Sequence, residues 1–215
     1  MLSSDFQDTV AAAVEANTRR VRTASLSFYK TYSLIGVADL GLPEPNEYYF
    51  LWATGKPAVP LNWTNEPIYE TNEADGMRLV RSTLREYVLF LFHFVRGQLG
   101  RFLFIDSADD IRWLPELGAK EKGIAMTEKA GVTIAPIRYI GVSEAHDLHI
   151  LRAEVIFKNA LFRTDILVAP YPTRLMDAGS GELEEFTLGQ MKMVDEDLLV
   201  EDLPVIIDHP PGIFG

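Results

Sequence analysis

Apolar residues follow two rhythms along the 215-residue chain. The clearest helical stretch is TLREYVLFLFHFVRG, beginning at Thr83. At 100° per residue, Leu84, Tyr87, Val88, Phe90, Leu91, Phe92, Phe94 and Val95 share one broad arc. Arg85, Glu86, His93 and Arg96 share the other, with Leu89 intruding. Strand alternation sorts these residues worse, because His93 would join Leu89, Leu91 and Val95 on one face. Thr83 and Glu86 have the T-x-x-E spacing of a capping box, and Gly97 supplies a stop, so an amphipathic helix is predicted over about 83–97. The strand RFLFI follows. It ends in DSADD, a turn in which an aspartate bonds its own backbone.

Elsewhere the pattern is mostly β. TASLSFYKTYSLIGVADLGL, YYFLWATG, EPIYETNEADG (strand into turn) and MRLVRS read as strands, with GLPEPNE as a turn and KPAVPLNW as a proline-punctuated connection. VTIAPIRYIGV, LHILRAEVIF and ALFRTDILVAPY are also β-rich, and the last two fit an antiparallel pair joined around KNA. GAKEKGIAMTEKAG, residues 118–131, reads as a loop or hairpin, and DLPVIID as β-compatible. Ser4 caps a short N-terminal helix running to about Arg19, with acids in its first turns and arginines at its end. HPPGIFG is an extended, proline-stiffened end. Few helices beside many short strands predict an α+β fold, mainly antiparallel, with a main domain over 1–180 and an acidic segment over 181–215.

Composition narrows the function. With 47% hydrophobic and 24% charged residues, the chain reads as an ordinary globular protein able to bury a core. The net charge of −11 argues against specific nucleic-acid binding, which needs clustered cations. Nine acids and one lysine between Glu182 and Asp208 supply part of that charge and read as a solvated surface. The absence of cysteine excludes disulfides, thiol nucleophiles and Cys-ligated metal. No signal-peptide pattern opens the chain, and no apolar run approaches the roughly 20 residues of a membrane helix, so no membrane insertion is expected.

The candidate chemistry is thin. His146 and His149 in EAHDLH sit beside a strand, where i and i+3 point to opposite faces, and HExxH is absent. DSADD has Ala108 and Ile111 where a calcium loop wants Asp or Asn and then Gly. Gly118 and Gly123 have Walker spacing, but Ile124 replaces the lysine; Ser180 lacks the G-x-S-x-G elbow. Glu184/Glu185 and Asp195/Asp197 have little apolar cover with which to shift their pKa values. His93 falls on the wet arc of its helix. No catalytic residue, cofactor or metal is therefore expected, and the chain reads as a non-enzyme.

The order capped helix, Arg-Gly, aromatic strand and Asp in LREYVLFLFHFVRGQLGRFLFIDSADD resembles the minor tail and distal tail proteins of long-tailed bacteriophages. The matching F-x-x-x-R-G and F-x-F-x-D residues are Phe92, Arg96, Gly97, Phe102, Phe104 and Asp106. YYFLWATGKPAVPLNWTNEPIYE is similar to the opening strands of such proteins, so the resemblance spans about residues 48–110. It implies a tail-tube-like antiparallel β-sandwich with one helix packed across it. It also implies a structural role in the virion's tail tip or baseplate, assembled in the host cytoplasm. The partners would be copies of the chain in a homo-oligomeric ring, which links the tail tube to neighbouring tail or baseplate proteins. An acidic character would suit a lumen through which DNA slides without sticking. The competing expectation is a cytoplasmic enzyme or small-ligand domain with a site around His93, Arg96 and Asp106.

Overall fold

Proline, glycine and bulges divide this chain into short strands, most of which pair with a sequence neighbour. The computed structural model describes residues 19–39, 47–97, 100–143, 147–176 and 183–206. These form an α+β architecture of antiparallel sheets with three α-helices among the described residues. The predicted N-terminal helix, GLPEPNE up to Asn46, His146, Ser180 and HPPGIFG lie outside the described residues, whereas Arg19 opens the first strand.

The chain divides into two compact units, Met1–Tyr87 and Val88–Gly215. In the first, β1 (Arg19–Ser25), β2 (Ser33–Asp39), β3 (Glu47–Trp52) and the two-residue β4 (Val59–Pro60) form an antiparallel sheet in chain order. Of the single strand expected from Thr23 to Leu42, the described residues to Asp39 are the end of β1, a turn and β2. The turn holds Leu26, Phe28, Tyr29 and Tyr32, all buried, so its aromatics face a core rather than a pleat.

Next comes helix α1 (Glu66–Asp75), which overturns the strand expected in EPIYETNEADG. Pro67 sits in its first turn, where its missing N–H costs nothing. Gly76 ends it in the left-handed region at φ 57°, with the Met77 N–H returning to the Asn72 carbonyl. The buried face is Ile68, Thr71, Asn72 and Asp75; this 3,4-spaced stripe is mostly polar, so hydrophobic periodicity does not reveal it.

MRLVRS is not a strand. Met77–Val80 is irregular, and Arg81 opens helix α2 (Arg81–Phe94). This helix starts two residues before and ends three before the predicted bounds. The capping box does not form: the Thr83 hydroxyl bonds both backbone groups of Val80, and the Glu86 carboxylate accepts from the Ser27 N–H and hydroxyl. Gly97 is not the stop either, since it lies beyond the helix and bridges Gly100. The predicted faces are observed: Leu84, Tyr87, Val88, Phe90, Leu91 and Phe94 are buried, while Arg85 and His93 are exposed. Arg81–Tyr87 falls in the first unit and Val88–Phe94 in the second.

The second unit is built on β7 (His149–Phe157) and β8 (Ala160–Val168), a hairpin turning at Lys158 and Asn159 as the alternation predicts. β11 (Met191–Val200) pairs with the outer side of β8. The other side of β7 is shared end to end by β5 (Phe102–Ile105) along Phe157–Glu154 and β6 (Arg138–Val142) along Arg152–His149. On one face, Phe92 of α2 packs against Phe102 and Phe104 of β5, with centroids 6.1 and 4.7 Å away, and Phe102 stacks on Phe157. Leu103, Ile105, Ile156 and Leu161 point the other way into a cluster with Ile111, Val200, Leu203 and Val205.

GAKEKGIAMTEKAG is neither loop nor hairpin but helix α3 (Ala119–Lys129), with Gly118 (φ 82°) before it and Gly131 (φ 66°) after. Gly123 lies against Trp113, so a glycine that looks like a breaker is a close-packing position. β9 (Thr173–Met176) and β10 (Leu183–Phe186) form a separate two-stranded ribbon. Of DLPVIID, the described residues to Ile206 form no strand and include one isolated bridge, between Val205 and Trp113.

Candidate functional site

The stretch that raised the histidine–arginine–carboxylate reading is an architectural joint. DSADD opens a 3-10 turn, Ala108–Asp110, capped by Ser107 with the reciprocal Asp110 contact. Asp110 Oδ2 accepts from the N–H groups of Asp106 (3.0 Å) and Ser107 (2.8 Å). Asp106 Oδ1 accepts from the Ile137 N–H at 3.3 Å. This joins the end of β5 to the residue before β6, where the two strands succeed each other along β7.

His93 keeps different company. Its imidazole lies edge-on to Phe94 and 3.4 Å from a guanidinium nitrogen of Arg101, which also donates to the His93 carbonyl. Partial burial of the ring, then the Arg101 and Arg96 charges, holds its pKa below the ordinary histidine value. The structure thus groups His93 with two arginines, one of which, Arg101, sequence reasoning missed. It gives Asp106 a backbone N–H instead.

Among the described residues, no group of three His, Asp or Glu side chains is placed to hold a metal ion. His149 Nδ1 lies 3.3 Å from the Tyr139 hydroxyl, within β6–β7. Glu184 pairs with Lys192 (2.6 Å) and Glu185 with Arg174 (2.8 Å).

A charge ladder runs along one face of the five-stranded sheet. Arg152 and Asp165 are direct cross-strand partners joined by two hydrogen bonds of 2.6 and 2.7 Å, a bidentate pair that raises the arginine's pKa. Two residues on, Glu154 opposes Arg163, whose Nε donates 3.0 Å to Oε1, while Arg138 of β6 stands 4.0 Å from the same oxygen. Glu154 is fully buried, and its Oε2 has no hydrogen-bond partner among the described residues. The sequence signal was the i, i+2 charge pairs in LRAEVIF and LFRTDIL, which point to one face of each strand. These charges answer one another across strands, so the ladder fixes register.

The first unit holds a polar network and a cleft. The Tyr29 hydroxyl donates to Asn72 Oδ1 (2.8 Å), and Asn72 Nδ2 donates to the Tyr87 hydroxyl (2.7 Å). Burial, above all, pushes both phenols well above the usual tyrosine range. Burial also pushes the Asp75 carboxyl up, but the N–H of Lys30 and the N–H and hydroxyl of Thr31 outweigh it, leaving its pKa below the usual carboxylate value. The cleft, about 320 Å³, lies on the β1–β2–β3 face and is lined by Arg20, Arg22, Leu34, Gly36 and Tyr49 among others.

No family model, no curated protein and no solved structure matches the chain. Among the described residues, no helix is long and apolar enough to cross a membrane.

Proposed function

We propose that the chain is a structural component of a long-tailed phage tail tip or baseplate, with a tail-tube-like β fold. In this reading it forms a homo-oligomeric ring linking the tail tube to distal tail proteins in the virion. The observation that carries the reading is the unit running from Phe92 to Asp106. Phe92 of the helix packs onto Phe102 and Phe104 of the strand, and Asp106 ties that strand to the start of β6. Phe92, Phe102, Phe104 and Asp106 of the resemblance thereby serve one joint that lays a helix on an antiparallel sheet. The roles assigned to these residues are packing, register and chain reversal, which suits a protein whose work is to assemble.

Mass spectrometry and immunogold labelling of particles from a culture carrying the gene test the proposal. The chain is expected in the purified tail fraction, labelled at the tail tip, and its deletion is expected to leave tails defective or unjoined. Normal tails after deletion, with no chain in the particles, would sink it.

A further inference from the structure

We infer that the cleft on the β1–β2–β3 face is a docking groove for the acidic bulge of β11 from a second copy of this chain. Arg20 and Arg22 lie two apart on β1 and so share a face, and β1 is the outermost strand of its sheet among the described residues. The groove's apolar lining includes Ala24, Leu34 and Ala38, which pair across β1 and β2 on the face of the two arginines. At Gly36 an added Cβ would come within 3.1 Å of the Tyr49 ring, which would have to give by a few tenths of an ångström. Glu47, the one acid among the described lining residues, accepts a hydrogen bond from the Tyr49 hydroxyl. An occupant must therefore be extended, bring acids for two arginines and place an apolar side chain on that lining.

β11 presents such a segment. Its register with β8 breaks between Val194 and Asp197, and Asp195 adopts φ 50°, a bulge that lifts Asp195 and Glu196 from the ladder while Asp197 stays opposite Arg163 and Leu198 opposite Phe162. Asp195, Glu196 and Asp197 are exposed, and Leu198 beside them is 48% exposed. β11 is also the outer strand of its sheet among the described residues. The rest of the charge argues for the same match. Two chains of net charge −11 repel at most approaches, and the arginine pair offers an acidic neighbour a favourable one. Groove and bulge are different surfaces of one chain, so the contact is head-to-tail: it closes into a ring if the rotation per copy closes, and otherwise propagates. The groove contact supplies an interface for the ring of the proposed function and rests on that reading only for closure.

Sedimentation velocity on the full chain tests it, using R20E/R22E and E196K/D197K. The wild type is expected to self-associate, more weakly at high salt. Each charge-reversed variant is expected to associate at least about tenfold more weakly, since it sets like charges against each other. An equimolar mixture should recover association, because each reversed surface then meets its opposite on the other variant. R20Q/R22Q or E196Q/D197Q replaces any reversed variant that fails to fold, with weakened association as the readout. A monomeric wild type, variants that associate as the wild type does, or a mixture of folded reversed variants that stays apart overturns the contact. Association untouched by both variants removes this interface and leaves the tail role standing; the expected pattern with no chain in virions removes the tail role and leaves the interface.

Discussion

Glu154 of β7 and Arg163 of β8 stand in direct register, Nε to Oε1 3.0 Å, with the carboxylate fully buried. Removing one partner of a buried pair leaves a charge that the interior cannot solvate. R163M is therefore expected to cost about 3 kcal/mol in urea unfolding. The double variant E154M/R163M should recover most of that loss, because an apolar pair of similar volume has no charge to strand. If R163M unfolds with the wild-type midpoint, Arg138 at 4.0 Å compensates the carboxylate by itself and the ladder is not cooperative.

Asn72 links the first unit through hydrogen bonds to two tyrosines on different segments, Tyr29 before β2 and Tyr87 in α2. N72A removes both bonds and opens a buried cavity, for an expected loss of about 2–4 kcal/mol. Y29F removes only the bond from the Tyr29 hydroxyl and should cost about 1 kcal/mol. Equal losses in thermal unfolding would mean that the cavity and the second bond contribute nothing.

How much of this was legible depended on whether the buried face was apolar. The β7–β8 hairpin and the faces of α2 could be read because Leu, Ile, Val and Phe mark their inner sides. α1 was missed because Thr71, Asn72 and Asp75 occupy its inner stripe, and α3 because its buried residues are Ala119, Gly123 and Thr127. Small or polar buried residues carry little hydrophobic period, so tertiary partners decide such segments. The acidic run read as a solvated surface contains β11, whose bulge leaves Asp195–Asp197 in solvent while Val200 is buried. Of the proposed histidine site, the exposure of His93 could be read from the helix, but Arg101 could not, since its approach depends on the turn between α2 and β5.

Gly123 reverses an ordinary rule. Replacing glycine by alanine inside a helix usually stabilises by about 1 kcal/mol. Here the added Cβ would lie 2.0 Å from Cζ3 of Trp113, a contact with a rigid ring. G123A is therefore expected to destabilise by about 1–3 kcal/mol and to shift the Trp113 fluorescence as the indole is displaced. W113L should relieve the clash, so that G123A becomes neutral or favourable in that background. A stabilising G123A in the wild-type chain would show that the indole and the helix are not packed this closely.

His93 should titrate below the ordinary histidine value of about 6.5, held down by partial burial and then by Arg101 and Arg96. The folded state then binds fewer protons than the unfolded chain as pH falls through about 6.5. The associated stability is fully present above that pH and is lost as pH falls through the lower folded pKa. NMR titration of the His93 ring checks the pKa, and unfolding measured at several pH values checks the slope. R101A should move the pKa upward by removing the nearer cation, and H93Q should flatten the stability profile in the same window. A His93 pKa at or above 6.5, or one indifferent to R101A, would mean that the guanidinium at 3.4 Å is not positioned to act on the ring.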